Sequence, residues 1–171
     1  KGILDPSQID ILKEASRYVD RFENQSENKS YLHAMRSEWD TPETAEKDMN
    51  DFINFKLNEF VNKDGDEALF SLGEGMHPIM DNTSSEHQDF QVWTGIESWV
   101  DYLKPSVWLH GIKEVFSPKH DKVGAIEKIR CYYFEAMKKK YGDLPQRIEI
   151  GNKGIRLSRL ENTNTGWDSE Q

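Results

Sequence analysis

His77 and Asp81 stand four residues apart in "GEGMHPIMD", and His110 and Glu114 repeat that spacing in "HGIKE". Residues four apart on a helix project from one face, so an imidazole nitrogen and a carboxylate oxygen can reach a common point. Such a pair can bind a divalent cation through nitrogen and oxygen donors. It can equally be an ordinary pair in which the carboxylate orients the ring, and for either pair alone that is the commoner explanation. Two pairs in a chain of five histidines shift the balance toward a metal site. His87, in the polar stretch after Asp81, offers a further ligand. Taken alone, His33 in "SYLHAMR" reads as a buried, satisfied histidine, and His120 in "SPKHDK" as solvated. Spacing by itself suggests a His/carboxylate metal site and no more. It is a weaker signal than a helical His-Glu-x-x-His motif.

Composition narrows the chemistry. Cys131 is the single cysteine, which excludes an internal disulfide and a zinc held by thiolates. The net charge of -9 weighs against a polyanionic partner at long range, although a bound cation would make a site locally positive. The 171 residues suit one domain, and 36% hydrophobic residues with 11% aromatics suffice for one core. No apolar run approaches a membrane span. The opening "KGILDPSQIDILKE" lacks the apolar segment of a signal peptide and begins without Met, as expected of a piece cut from a longer chain.

The elements that must position these residues are mainly helical. Pro6 to about Phe22 predicts a helix, with Ile9, Leu12, Ala15, Ser16 and Val19 on one stripe. "ENQSENKS" (23–30) reads as loop. A second helix is predicted over about 41–61, with Thr41 as cap and Pro42 in the first turn. A third is predicted over about 66–81, its stripe formed by Leu69, Leu72, Met76 and Met80. Gly73, His77 and Asp81 share a neighbouring face of that helix, and Pro78 should kink it. Two further helices are expected at about 106–116 and 119–141. A small hairpin is expected over 147–160, and 161–171 reads as a flexible tail. Phe90, Trp93, Trp99 and Trp108 flank the candidate ligands. They could form an apolar lip, but large aromatics are more often core.

The order of these residues resembles the core of zinc-dependent phospholipase C enzymes. "ALFSLGEGMHPIMDNTSSEHQDF" is similar to that family's Ala-x-x-x-Leu-Gly-x-x-x-His-x-x-x-Asp helix and the Pro-x-His after it, through Ala68, Leu72, Gly73, His77, Asp81 and His87. "HGIKE" resembles the family's later His-x-x-x-Glu helix. Asp20 and His33 stand in the relation of its upstream Asp and His, with Asp10 and Asp40 as alternatives for the Asp. The likeness spans roughly residues 15–116. A further likeness, through "SYLHAMR" and "HPIMDNTSSEHQDFQVW", is to C-terminal toxin domains of Rhs-repeat polymorphic toxins.

Together these resemblances imply a compact, mainly α hydrolase domain over residues 1–160, like zinc-dependent phospholipase C. Asp20, His33, His77 and Asp81 would hold one zinc, and His87, His110 and Glu114 a second. The family's third zinc uses an N-terminal Trp and an early His, and neither is found here. Ser85 replaces the proline of Pro-x-His. Asp20 and Asp81 are the expected catalytic carboxylates, Asp20 as ligand or as base. Glu74, Asn82, Ser84 and Ser85 are candidates to orient the rings. The implied protein is an antibacterial effector borne by an Rhs-repeat carrier and secreted into a target bacterium. There it would cut phospholipids at the membrane, while a cognate immunity protein protects the producer. A metal-dependent nuclease, or a metal-binding module without catalysis, are the alternatives. The acidic charge makes nucleic acid the lesser candidate as substrate.

Overall fold

The computed structural model describes residues 4–84, 87, 89–103 and 122–142, together with two strands at 146–151 and 154–159. It is mainly helical, as the apolar periodicity predicts. Helix α1 is Pro6–Val19 and is closed at its start by a reciprocal cap between Asp5 and Gln8. It stops before Phe22, and Asp20 is its C-terminal cap. Helix α2 is Pro42–Asn62, and the Thr41 hydroxyl accepts from the Thr44 N–H at 3.2 Å. Helix α3 is Gly65–Asp81. Gly65, at φ 58°, supplies the left-handed residue that lets the chain turn sharply out of α2. Helix α4 is Lys122–Tyr141. Strands β1 (Gln146–Gly151) and β2 (Gly154–Arg159) pair antiparallel, with Ile148 opposite Leu157 and Ile150 opposite Ile155.

Helix α3 is central and packs against α1, α2 and α4. Two glycines permit the closest approaches. A Cβ on Gly73 would stand 2.7 Å from the Ala15 Cβ and 2.8 Å from the Leu12 carbonyl. A Cβ on Gly75 would stand 2.2 Å from the Tyr132 hydroxyl. The main core lies between α2, α3 and α4, where Leu57, Phe60, Leu72 and Ala136 meet. Lys56, of which only 13% of the side chain is exposed, bonds Glu74 at 2.7 Å and Glu59 at 2.9 Å between α2 and α3. Lys140 donates to the carbonyls of Phe60 and Lys63 and so closes the C-terminal end of α2.

Residues 23–30, expected as loop, form short 3-10 turns at Phe22–Asn24 and Glu27–His33. Side-chain bonds to carbonyls, Asn24 Nδ2 to Tyr18 at 2.9 Å and Lys29 Nζ to Glu23 at 2.8 Å, hold backbone that composition alone reads as irregular. Helix α3 also passes through Pro78 and continues to Asp81. Pro78 sits in the last turn of that helix, where its missing N–H removes one bond near an end rather than from the middle.

A second, smaller core packs the turns that bear the histidines against α2, through Ala34, Ala45, Met49 and Phe90. Arg36 and Val92 form a parallel bridge that joins those turns. The expected helix at 106–116 and the expected tail at 161–171 lie outside the described residues. Among the described residues, no helix is long and apolar enough to cross a membrane.

Candidate metal centre

Side chains from three elements, Asp20, His33 and His77, meet in one cluster, and Asp81 stands against its two imidazoles. Asp20 caps α1, His33 ends the second 3-10 turn, and His77 and Asp81 occupy successive turns of α3. His77 Nε2 lies 3.2 Å from His33 Nδ1, 3.0 Å from Asp81 Oδ2 and 3.4 Å from Asp20 Oδ1. His33 Nδ1 lies 3.5 Å from Asp81 Oδ2 and 3.9 Å from Asp20 Oδ1.

These separations allow a test of fit. Four ligands placed tetrahedrally at zinc–nitrogen and zinc–oxygen distances of about 2.0–2.1 Å would stand about 3.3 Å from one another. The five separations, from 3.0 to 3.9 Å, bracket that value. Asp20, His33 and His77 form a cluster that could hold a metal ion, and Asp81 Oδ2 closes on both of its imidazoles. Two carboxylates and two neutral imidazoles would balance a divalent cation. Both rings are buried, whereas the Asp20 side chain is 59% exposed, so solvent reaches the cluster at Asp20. Asp10 and Asp40 do not compete, because Asp10 pairs with Lys13 on exposed α1 and Asp40 accepts from Ser37 Oγ.

The backbone is strained where it delivers the histidines. Ala34, directly after His33, has φ 51°, and Asp89 and Phe90, just beyond His87, have φ 60° and 53°. Non-glycine residues rarely adopt this region, and for a bulky Phe it is exceptional. Burial of Ala34 and Phe90 against Met49 holds both turns in place.

Electrostatics bind the cluster together. Burial pulls the His77 imidazole down, but the Asp81 and Asp20 carboxylates outweigh it and raise its pKa above the ordinary value. Burial pushes Asp81 up, but the His77, His33 and His87 rings outweigh it and hold the carboxyl well below the usual range. Such mutual stabilisation marks charges that need a partner, whether a proton or a cation.

The partners of the His77 and His33 rings include two residues that were not expected. Ser16 Oγ lies 3.1 Å from His77 Nδ1, and Gln25 Nε2 lies 3.2 Å from His33 Nε2. Glu74 instead pairs with Lys56, and Asn82 faces the Met49 sulfur. The backbone of Ser84 supports its own turn, donating to Asp81 O and accepting from the His87 N–H, and Ser85 is outside the described residues. Ser16 had a visible signal, as the hydroxyl within the apolar stripe of α1. Gln25 had none, since its contacts depend on how the 3-10 turns fold.

His87 is buried beside the cluster, its Nδ1 3.8 Å from Asp81 Oδ2 and in hydrogen-bond contact with the His33 carbonyl. An Nδ1–H that donates to that carbonyl leaves the lone pair on Nε2. His110, Glu114 and His120 lie outside the described residues, as does Trp108. Phe90 and Trp93 are buried, so these two flanking aromatics are core rather than lip. Compared with known proteins, the chain matches no family model, no curated protein and no solved structure.

Proposed function

We propose that this domain hydrolyses phosphodiester bonds at a zinc site, acting on membrane phospholipids in the manner of phospholipase C. The observation that carries the reading is the convergence of Asp20, His33 and His77 at ligand-to-ligand spacing, with Asp81 Oδ2 within reach of both imidazoles. Zinc bound there would act as a Lewis acid toward a phosphoryl oxygen and make water a better nucleophile at neutral pH.

His33 and His77 serve as neutral donors, each steadied on its far nitrogen by Gln25 or Ser16. Asp81, half-buried and within reach of three imidazoles, fixes negative charge beside the rings. Asp20 is the carboxylate that solvent reaches, and it would serve either as a zinc ligand or as the base that takes a proton from an attacking water. The water oxygen joins phosphorus as the bond to the diacylglycerol oxygen breaks, and the proton passes on to that leaving oxygen. His87, His110 and Glu114 are assigned to a second zinc. In this reading the domain is the toxic tip of an Rhs-repeat carrier that acts at the target cell's membrane, and it is held in check by an immunity protein.

The test is to incubate pure, zinc-loaded protein with zwitterionic and anionic phospholipid vesicles, with DNA and RNA in parallel. Diacylglycerol release that a chelator abolishes supports the reading. Nucleic acid cleavage with intact lipid would replace it with the nuclease.

A further inference from the structure

We infer that Gln25 is a positioning residue for the metal centre, holding His33 with Nδ1 aimed at the cluster. The inference rests on the metal-binding reading above. Gln25 lies between the two 3-10 turns, and its backbone is fixed on both sides. Its N–H donates to the Phe22 carbonyl at 3.1 Å, and its carbonyl accepts from Trp93 Nε1 at 3.0 Å and from the Ile96 N–H at 2.7 Å. From this anchored root the carboxamide nitrogen reaches the Asp20 carbonyl at 3.1 Å and His33 Nε2 at 3.2 Å. One side chain thus touches the residue that brings in the exposed carboxylate and the ring that brings in a buried nitrogen.

A neutral imidazole carries a single N–H. For Nδ1 of His33 to give its lone pair to a cation, the proton must sit on Nε2, and the group facing Nε2 must accept it. A carboxamide meets that demand by half a turn about its last bond, which presents oxygen where nitrogen stood and exchanges the bond to the Asp20 carbonyl for the one from the ring. Glutamine can therefore serve the ring in both states. Glutamate at position 25 could only accept, which is what the metal-holding ring requires. Methionine, of similar length, could do neither.

The test compares zinc affinity by competition with a chromophoric chelator for the wild type, Gln25→Glu and Gln25→Met. Thermal unfolding of each metal-free protein serves as the folding control. Gln25→Met should bind zinc roughly 10–100-fold more weakly, Gln25→Glu should retain affinity, and metal-free unfolding should be similar in all three. The nitrogen NMR spectrum of zinc-loaded wild type should show His33 protonated at Nε2. Wild-type affinity in Gln25→Met, equal loss in both variants, or a proton absent from Nε2 would overturn the role of Gln25 while leaving the metal site standing. A wild type that binds no zinc would instead overturn the metal-binding reading. Should Gln25→Met fail to fold, Gln25→Glu and the His33 spectrum still decide.

Discussion

Asp81 Oδ2 stands 3.0 Å from His77 Nε2, one helical turn away on the same face of α3. The same oxygen is 3.5 Å from His33 Nδ1, so one carboxylate joins rings from two elements far apart in the chain. Replacing Asp81 by Asn keeps the shape but removes the charge that holds the imidazoles together. Zinc affinity of Asp81→Asn, measured by chelator competition, should fall at least 10-fold, the loss typical of weakening a metal-site carboxylate. Unchanged affinity would remove Asp81 from the ligand set.

The metal-free protein should have a two-sided pH dependence. Asp81 and Glu59 are lowered in the folded chain; for Glu59, burial raises the carboxyl but Lys63 and Lys56 outweigh it. Their contribution is present above the unfolded carboxylate pKa of about 4 and is lost as pH falls through the folded values. His77 is raised, so its contribution is full below about 6.5 and is lost as pH rises through its folded value. Urea midpoints of metal-free protein should therefore decline from about pH 6.5 upward, and His77→Gln should flatten that decline. A wild-type curve that rises across the same window would contradict the pairing of His77 with Asp81.

Helix packing and the site are linked through α1. Gly73 lies where a Cβ would press on the Leu12 backbone and on Ala15, and Ser16 beside them faces His77. Gly73→Ala should cost about 1–3 kcal/mol in urea unfolding and, by pushing α1 away, should also weaken zinc binding. Ser16→Ala leaves packing nearly intact, so it should weaken zinc binding with little change in metal-free stability. Equal metal affinity in both variants and the wild type would show that Ser16 and the seating of α1 on Gly73 play no part in the site.

Lys56 lies between Glu59 and Glu74, and its pKa is raised because those two carboxylates outweigh the burial that pulls it down. Glu74 is itself buried. Lys56→Met would leave that carboxylate without its partner and should cost about 3–5 kcal/mol in urea unfolding. Lys56→Met combined with Glu74→Leu should recover most of the loss. Failure to recover would assign the cost to packing rather than to charge.

Helix α3 was legible because its apolar stripe, its turn at Gly65 and the His77–Asp81 spacing all agree with one period. The share of His33 and Asp20 was not legible in spacing. His33 reaches the cluster through a 3-10 turn that ends in a left-handed alanine, which polar composition does not announce. Asp20 reaches it because α1 stops at Val19, three residues before the apolar pattern suggests. Only the resemblance of the residue order put the four together. Ser16 could have been suspected as the odd hydroxyl on an apolar stripe. Gln25 could not, because its contacts arise only when the segment bearing Trp93 and Ile96 folds onto its backbone.

The most direct test is zinc content after equilibrium dialysis, by elemental analysis of the wild type and of His77→Ala. At least one tightly held zinc per wild-type chain, lost in His77→Ala, is the predicted result. A wild type that retains no zinc, or a His77→Ala variant that retains as much as the wild type, would contradict the assignment of this cluster as a metal centre.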